Sequence, residues 1–245
     1  MSRGARRRVG LYGGSFNPVH FGHLRAAEEV REGARLDEVW LVPASAPPHK
    51  QARAIAPAAD RLRMLELALD EGHAGASSRR RGLRVEPIEL ERPGPSYTYD
   101  TVRSLRARHP KVDLVLILGI DSFRELHTWH EHDRLLAECD LIVTSRPPDR
   151  VAENGPGALA AAGPAIAVAG QFCYQESEKC FFHRSGRRLD FLAVTALDIS
   201  ASRIRALIES ERSIRFLTPN AVVEYIAAQS LYQVPRSARG KQHTS

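Results

Sequence analysis

An α/β fold, a doubly wound parallel sheet with helices on both faces and a helical segment at the C-terminal end, is what this sequence predicts. Three observations carry that prediction. Short apolar runs of strand length alternate with segments whose apolar residues recur at helical spacing through the first two thirds of the chain. Residues 114–118 (LVLIL) are apolar without interruption and end at Gly119, as a central parallel strand covered on both faces requires. Gly13 and Gly14 follow the first strand at once, at the strand end where open α/β sheets carry their ligands.

Taken in order, residues 9–12 (VGLY) make the first strand, and Leu24, Ala27, Val30 and Ala34 give the next segment the apolar stripe of a helix. Residues 39–43 (VWLVP) make the second strand, and 61–69 a helix on Leu62, Leu65 and Leu69. Residues 83–90 read as a third strand carrying Val85, Ile88 and Leu90, followed by a helix marked by Thr98, Val102 and Leu105. After the central strand, 141–144 (LIVT) repeat its character. Residues 147–170, rich in Ala, Gly and Pro, predict a variable connection with one short helix. In 181–194, Ser185-Gly186 between apolar flanks predicts a hairpin. Two helices, 200–209 and 220–229, close the chain, with Asn220 a candidate cap for the second. The winding is Rossmann-like. It predicts one domain over 9–232, between a basic tail, 1–8, and a polar tail, 233–245, both expected to be disordered.

With 245 residues, 43% of them hydrophobic and 26% charged, the chain is long and apolar enough to bury a full core. No stretch approaches the length of a membrane span, and the basic N-terminus lacks the apolar core of a secretory signal. Cys139, Cys173 and Cys180 are few and odd in number, which points to a reducing, cytoplasmic setting. Cys173, Cys180 and His183 match no zinc spacing and read as ordinary residues. The net charge of +6 rests largely on arginines in the tails and at 79–81, with no interleaved aromatics, so a nucleic-acid partner is not expected. A mildly basic surface also suits an enzyme for anionic substrates. Monomer and homo-oligomer remain equally open.

Chemistry concentrates at residues 9–23 (VGLYGGSFNPVHFGH). Glycines there let a phosphate approach the backbone N–H groups, Pro18 fixes the turn, and His20 and His23 follow at the start of a helix. The spacing is neither the dinucleotide-binding GxGxxG nor the Walker GxxxxGK[ST]. No third ligand stands near the two histidines, so no protein-bound metal is expected. Further clusters follow strands or open helices: Pro47-Pro48-His49-Lys50, Ser96-Tyr97-Thr98, Asp121 with Trp129, and residues 199–205 (ISASRIR). Singly, each reads as well as a turn, a cap or a core residue. Together they mark the carboxyl ends of the strands as a polyphosphate site.

The same residues carry a resemblance. GGSFNPVHFGH, residues 13–23, resembles the GGxFDPxHxGH motif of the HxGH nucleotidyltransferases, and ISASRIR their C-terminal ISxTxIR motif. PPHK, PSYT, GIDSF with Trp129, LIVTSRPP and YIAAQSLY are similar to the bacterial nicotinate-nucleotide adenylyltransferase family. The resemblance spans about 9–232 and is weakest over 148–189. Asn17 stands where the family most often has Asp, and Ser202 where it often has Thr.

That resemblance implies adenylyl transfer from ATP to nicotinate mononucleotide, with pyrophosphate as the other product. His20, His23 and Arg205 would be catalytic, acting on the ATP phosphates. Gly13, Gly14, Ser15, Phe16, Lys50, Ser200 and Ser202 would bind ATP. Ser96, Tyr97, Thr98, Asp121 and Trp129 would bind the mononucleotide, Trp129 under the pyridine ring and Thr98 near its carboxylate. Mg²⁺ would come with the ATP phosphates, held mainly through water. Pantetheine-phosphate adenylyltransferase, another HxGH nucleotidyltransferase such as a cytidylyltransferase, and a non-catalytic nucleotide-binding regulator are the alternatives.

Overall fold

The computed structural model describes residues 6–45, 55–72, 82–145, 151 and 154–233. Its centre is an eight-stranded sheet in the order β3-β2-β1-β4-β5-β8-β7-β6. The strands are β1 Arg7–Gly14, β2 Glu38–Pro43, β3 Leu83–Val85, β4 Val112–Gly119, β5 Asp140–Ser145, β6 Phe172–Gln175, β7 Cys180–His183 and β8 Arg188–Ala193. All neighbours pair in parallel except β7, which runs antiparallel to both β8 and β6. The helices are α1 Phe21–Gly33, α2 Ala58–Gly72, α3 Thr98–Arg108, α4 Ile120–Arg124, α5 His132–Glu138, α6 Ala158–Ala162, α7 Ile166–Ala169, α8 Ala201–Glu209 and α9 Asn220–Ala228.

The strands explain the doubly wound form. Because side chains alternate across a strand, a run that is apolar throughout needs cover on both faces. Leu114, Leu116 and Leu118 of β4 bury into one core with Val9, Leu11, Trp40 and Val102, while Val115 and Ile117 bury into a second with Val30, Leu41 and Met64. At Gly10 in β1 an added Cβ would lie 2.7 Å from Ile117 Cδ1 and 2.8 Å from Leu36 Cδ1, so this central position has room for no side chain. The chain winds from β1 to β2 and β3 on one side, and to β4 and β5 on the other. Strand order therefore reverses between β1 and β4. Their carboxyl ends, Gly14 and Gly119, flank the crevice where such sheets bind ligands.

The closing helices complete the second core: Ile204 of α8 and Val222 and Ile226 of α9 bury with Met64 and Leu65 of α2. The free N-terminal N–H groups of α9 are met by Glu71 at the end of α2, which accepts from Asn220 N at 3.2 Å and Ala221 N at 2.8 Å. Asn220 is therefore not the cap; Pro219 holds that position, and the satisfying oxygen comes from a distant helix.

Four other expectations change. Arg7 and Arg8 belong to β1, not to a tail, because Arg7 pairs with Glu38 at 2.6 Å and Arg8 N donates to Asp37 at 2.8 Å. The third strand stops at Val85, since the chain turns at Pro87, whose carbonyl accepts from Leu90 N at 2.8 Å. The connection after β5 holds two short helices, α6 and α7, rather than one. The predicted hairpin β7–β8 gains β6 as an edge strand. Its alternation is too weak and too short to announce itself. His183 in this margin is held by Ser185 Oγ at 2.7 Å and Gln171 Oε1 at 3.0 Å, the role of an ordinary buried polar residue. No described helix is long and apolar enough to cross a membrane.

Candidate active site

The loop between β1 and α1 carries the two histidines, and its geometry follows from its small residues. Helix α1 starts at Phe21 with His20 as its N-cap residue, so His20 and His23 lie one turn apart on the same side. Their rings stack at 3.7 Å between centroids, inclined by 25°. Gly22 makes this possible: a Cβ there would stand 3.0 Å from His20 Nδ1. Phe16 lies beneath, its ring edge-on to His23 at 5.1 Å and to Tyr12 at 6.2 Å. Gly14 leaves room for it, since an added Cβ would meet Phe16 Cζ at 3.0 Å.

Distant segments brace the loop. Asn17, which precedes a cis proline, accepts at Oδ1 from Ala56 N at 3.0 Å and from Tyr232 Oη at 2.8 Å. Its main-chain carbonyl accepts from Arg205 Nη1 at 2.8 Å. Thr218 Oγ1 donates to Val19 O at 2.8 Å, and Phe21 N to Leu217 O at 3.1 Å. Burial raises the Tyr232 phenol well above its ordinary value, which keeps it a donor. Asn17 Oδ1 thus meets two neutral donors and needs no negative charge. The amide serves where the family more often has a carboxylate.

Two cavities open at the carboxyl edge of the sheet and share Tyr12, His23 and Gly119. The first, about 320 Å³, is walled by Leu11, Val42, Val102, Leu116, Leu118 and Trp129, with Gly13, Gly14, Glu89, Ser96, Thr98, Thr101 and Ser122 among its other residues. The start of α3 points into it. Tyr97, the N-cap residue of α3, makes no side-chain cap bond, so the first N–H groups of the helix are left for an anion. Ser96 is fixed there by accepting from Ser45 N at 2.9 Å. Buried Glu89 accepts from Thr101 Oγ1 at 2.8 Å. At Gly13 and Gly119 an added Cβ would meet nothing within 4 Å, so a side chain at either would project into open space beside the cavity.

The second cavity, about 360 Å³, is lined by Ser15, His20, Asp121, Thr144, Ser145, Thr195, Ser200 and Ser202, with Gly22 and Ile199 among the rest. Here α8 presents its N-terminus. Ser200 caps it by accepting from Arg203 N at 3.2 Å. Residues from opposite ends of the chain, 15–26 and 194–202, therefore face one volume.

Sequence expectations sort between these cavities. Ser96, Thr98 and Trp129 line the first, as do Gly13 and Gly14, which were expected on the ATP side. Ser15, His20, Ser200 and Ser202 line the second, joined by Asp121, which was expected beside the mononucleotide. Phe16, expected to line the nucleotide, is 1% exposed and supports the histidines from below. Tyr97 lines neither cavity, and its ring lies 4.4 Å from that of His130. Arg205 also lines neither, but its bond to Asn17 ties α8 to the histidine loop. Lys50 lies outside the described residues. Missed by sequence reasoning were Tyr12, Glu89, Thr101 and Thr195. Thr144 and Ser145 carried a signal, because they end a central strand.

Comparison with known proteins places this geometry. Residues 11–207 match the family described as Cytidylyltransferase-like. A Geobacter sulfurreducens protein named "Probable nicotinate-nucleotide adenylyltransferase" is 42% identical over 225 residues, covering 92% of this chain and 98% of that protein. A protein of the same name from Geobacter metallireducens is 41% identical with the same coverage. Among solved structures, Plasmodium falciparum nicotinic acid mononucleotide adenylyltransferase complexed with NaAD superposes with a TM-score of 0.66 at 18% identity, covering 92% of this chain and 97% of that one. By these relations the chain belongs to the nicotinate-nucleotide adenylyltransferase family of cytidylyltransferase-like proteins.

Proposed function

We propose that the chain transfers the adenylyl group of ATP to nicotinate mononucleotide, forming nicotinate adenine dinucleotide and pyrophosphate. The observation that carries this reading is the pair of adjoining cavities, one with the Trp129 wall and the other richer in hydroxyls, meeting at Tyr12, His23 and Gly119. A phosphate oxygen of the mononucleotide attacks the α-phosphorus of ATP. One phosphorus–oxygen bond forms, the bond to the bridging oxygen breaks, and pyrophosphate leaves with the electron pair. The nucleophile is already an anion, so positioning and positive charge are the tools required, rather than a general base.

ATP would occupy the second cavity. His20 and His23 would donate to its phosphates near the junction, and the capped start of α8 with Ser200 and Ser202 would take the polyphosphate. Arg205 and Lys50 would add positive charge. The mononucleotide would occupy the first cavity with its pyridinium over Trp129, a cation–π arrangement. Its carboxylate would sit at the open N-terminus of α3 beside Thr98. ATP would enter as its magnesium complex. The hydroxyls and the Asp121 carboxylate of the second cavity suit an ion that keeps water and phosphate as its main ligands. Bound there, the ion would neutralise phosphate charge.

The deciding experiment follows pyrophosphate release from ATP with a panel of acceptors. Nicotinate mononucleotide is expected to be turned over well ahead of nicotinamide mononucleotide, and phosphopantetheine to be inert. Release driven by phosphopantetheine, or nucleotide binding without any release, would contradict the reading.

A further inference from the structure

Arg61 stands apart from every residue given a role so far. It is 1% exposed, one of the largest fully buried side chains of the protein, and it lies in the first turn of α2, behind the histidine loop. Its guanidinium spends its donors on three main-chain carbonyls: Nε on Ala56 O at 3.0 Å, Nη1 on Ser15 O at 2.9 Å and Nη2 on Ser45 O at 3.2 Å. Among the described residues no carboxylate pairs with it. Its neighbour Asp60 accepts instead from Tyr225 Oη at 2.8 Å. Burial without an anion is costly for a guanidinium, and here it pulls the group below its ordinary value.

The three carbonyls are not scattered. Ser15 lines the second cavity. Ser45 ends the segment after β2 and holds Ser96 of the first cavity through its own N–H. Ala56 donates its N–H to Asn17 Oδ1, the hub of the histidine loop. One buried side chain therefore links the walls of both cavities and the loop between them. A carbonyl engaged from behind by a cation also repels an incoming phosphate less. An apolar residue of similar length would fill the volume but leave these three carbonyls without a donor, so the guanidinium supplies bonds as well as charge here.

We propose that Arg61 is a positioning residue for the triphosphate, whose buried positive charge finds its counter-charge in the bound nucleotide rather than in the protein. This rests on the reading of the second cavity as the ATP side. The guanidinium does not touch the nucleotide; it acts through the Ser15, Ser45 and Ala56 carbonyls and through its field, which a low-dielectric surrounding leaves little screened.

Equilibrium binding of a non-hydrolysable ATP analogue, α,β-methylene-ATP, and separately of nicotinate mononucleotide, tests the proposal in the full chain. For Arg61→Met, affinity for the analogue is expected to fall by about 10–100-fold, the scale of a lost charge-assisted interaction, with at most a small loss for the mononucleotide, which Arg61 reaches only indirectly through Ser45 and Ser96. For Arg61→Lys, which keeps the charge but not the fork, a loss of about two- to fivefold is expected for the ATP analogue, again larger than any loss for the mononucleotide. Equal affinity of wild type and Arg61→Met, or equal losses for both ligands, would overturn the proposal. Should Arg61→Met not fold, Arg61→Gln carries the same comparison. Should neither neutral variant fold, Arg61→Lys decides: an ATP-specific loss supports the proposal, and wild-type affinity assigns Arg61 to folding alone. Because only binding is read, failure of the acceptor assay would leave this result standing.

Discussion

The two cavities share a wall yet differ in what they are made of and in where the chain supplies it. The first has a large apolar wall of strand residues and Trp129, with the buried Glu89, the hydroxyls of Ser96, Thr98, Thr101 and Ser122, and an open helix N-terminus as its polar features. The second is richer in hydroxyls and is lined by two imidazoles and a carboxylate, and its helix N-terminus is capped by Ser200. An apolar wall with Trp129 beside an open helix N-terminus suits a flat ring bearing one carboxylate. A hydroxyl-lined slot suits a polyphosphate. On the proposed reading, the difference teaches that specificity for the acceptor and handling of charge are built separately; Tyr12, His23 and Gly119 line both cavities.

Substitutions that hit one side or the junction should break this division in order of size. The largest effect is expected in the second cavity, beside the junction: His20→Ala should lower kcat by about 10²–10³-fold, the cost of one lost donor to developing charge, with smaller changes in either KM. Steady-state kinetics with both substrates varied checks it, and unchanged turnover would remove His20 from the reaction. Next comes the first cavity, where Trp129→Ala should raise the acceptor KM by about tenfold, from the lost cation–π face, and leave the KM for ATP alone. A matching rise for ATP would show that the cavities are not separate. The smallest effect belongs to the cap of the second cavity. Ser200→Ala should cost about 1 kcal/mol of stability. In a domain of this size that is a fall of about 2–4 °C in Tm, read by thermal unfolding.

Much of this was legible in the sequence, for reasons that can be named. The apolar run of β4 needs cover on both faces, and that fixes the class of fold. The glycines after β1 and the spacing of His20 and His23 fix where the loop turns. What sequence could not convey is which wall a residue joins. Gly13 and Gly14, at the end of β1, go to the first cavity, and Asp121, in the first turn of α4, goes to the second. Arg61 gave no sequence signal, since a lone arginine in an amphipathic helix reads as solvated. Its meaning lies in burial, which only packing decides. Asn17 shows the converse: at a departure from the family motif, two neutral donors, Ala56 N and Tyr232 Oη, satisfy the amide oxygen.

The division itself is tested most directly by competition at equilibrium among α,β-methylene-ATP, nicotinate mononucleotide and the dinucleotide product. If each substrate has its own cavity, the two substrates bind together, and the product displaces both. Mutual exclusion of the two substrates, or a product that displaces only one, would contradict a site built from two adjoining halves.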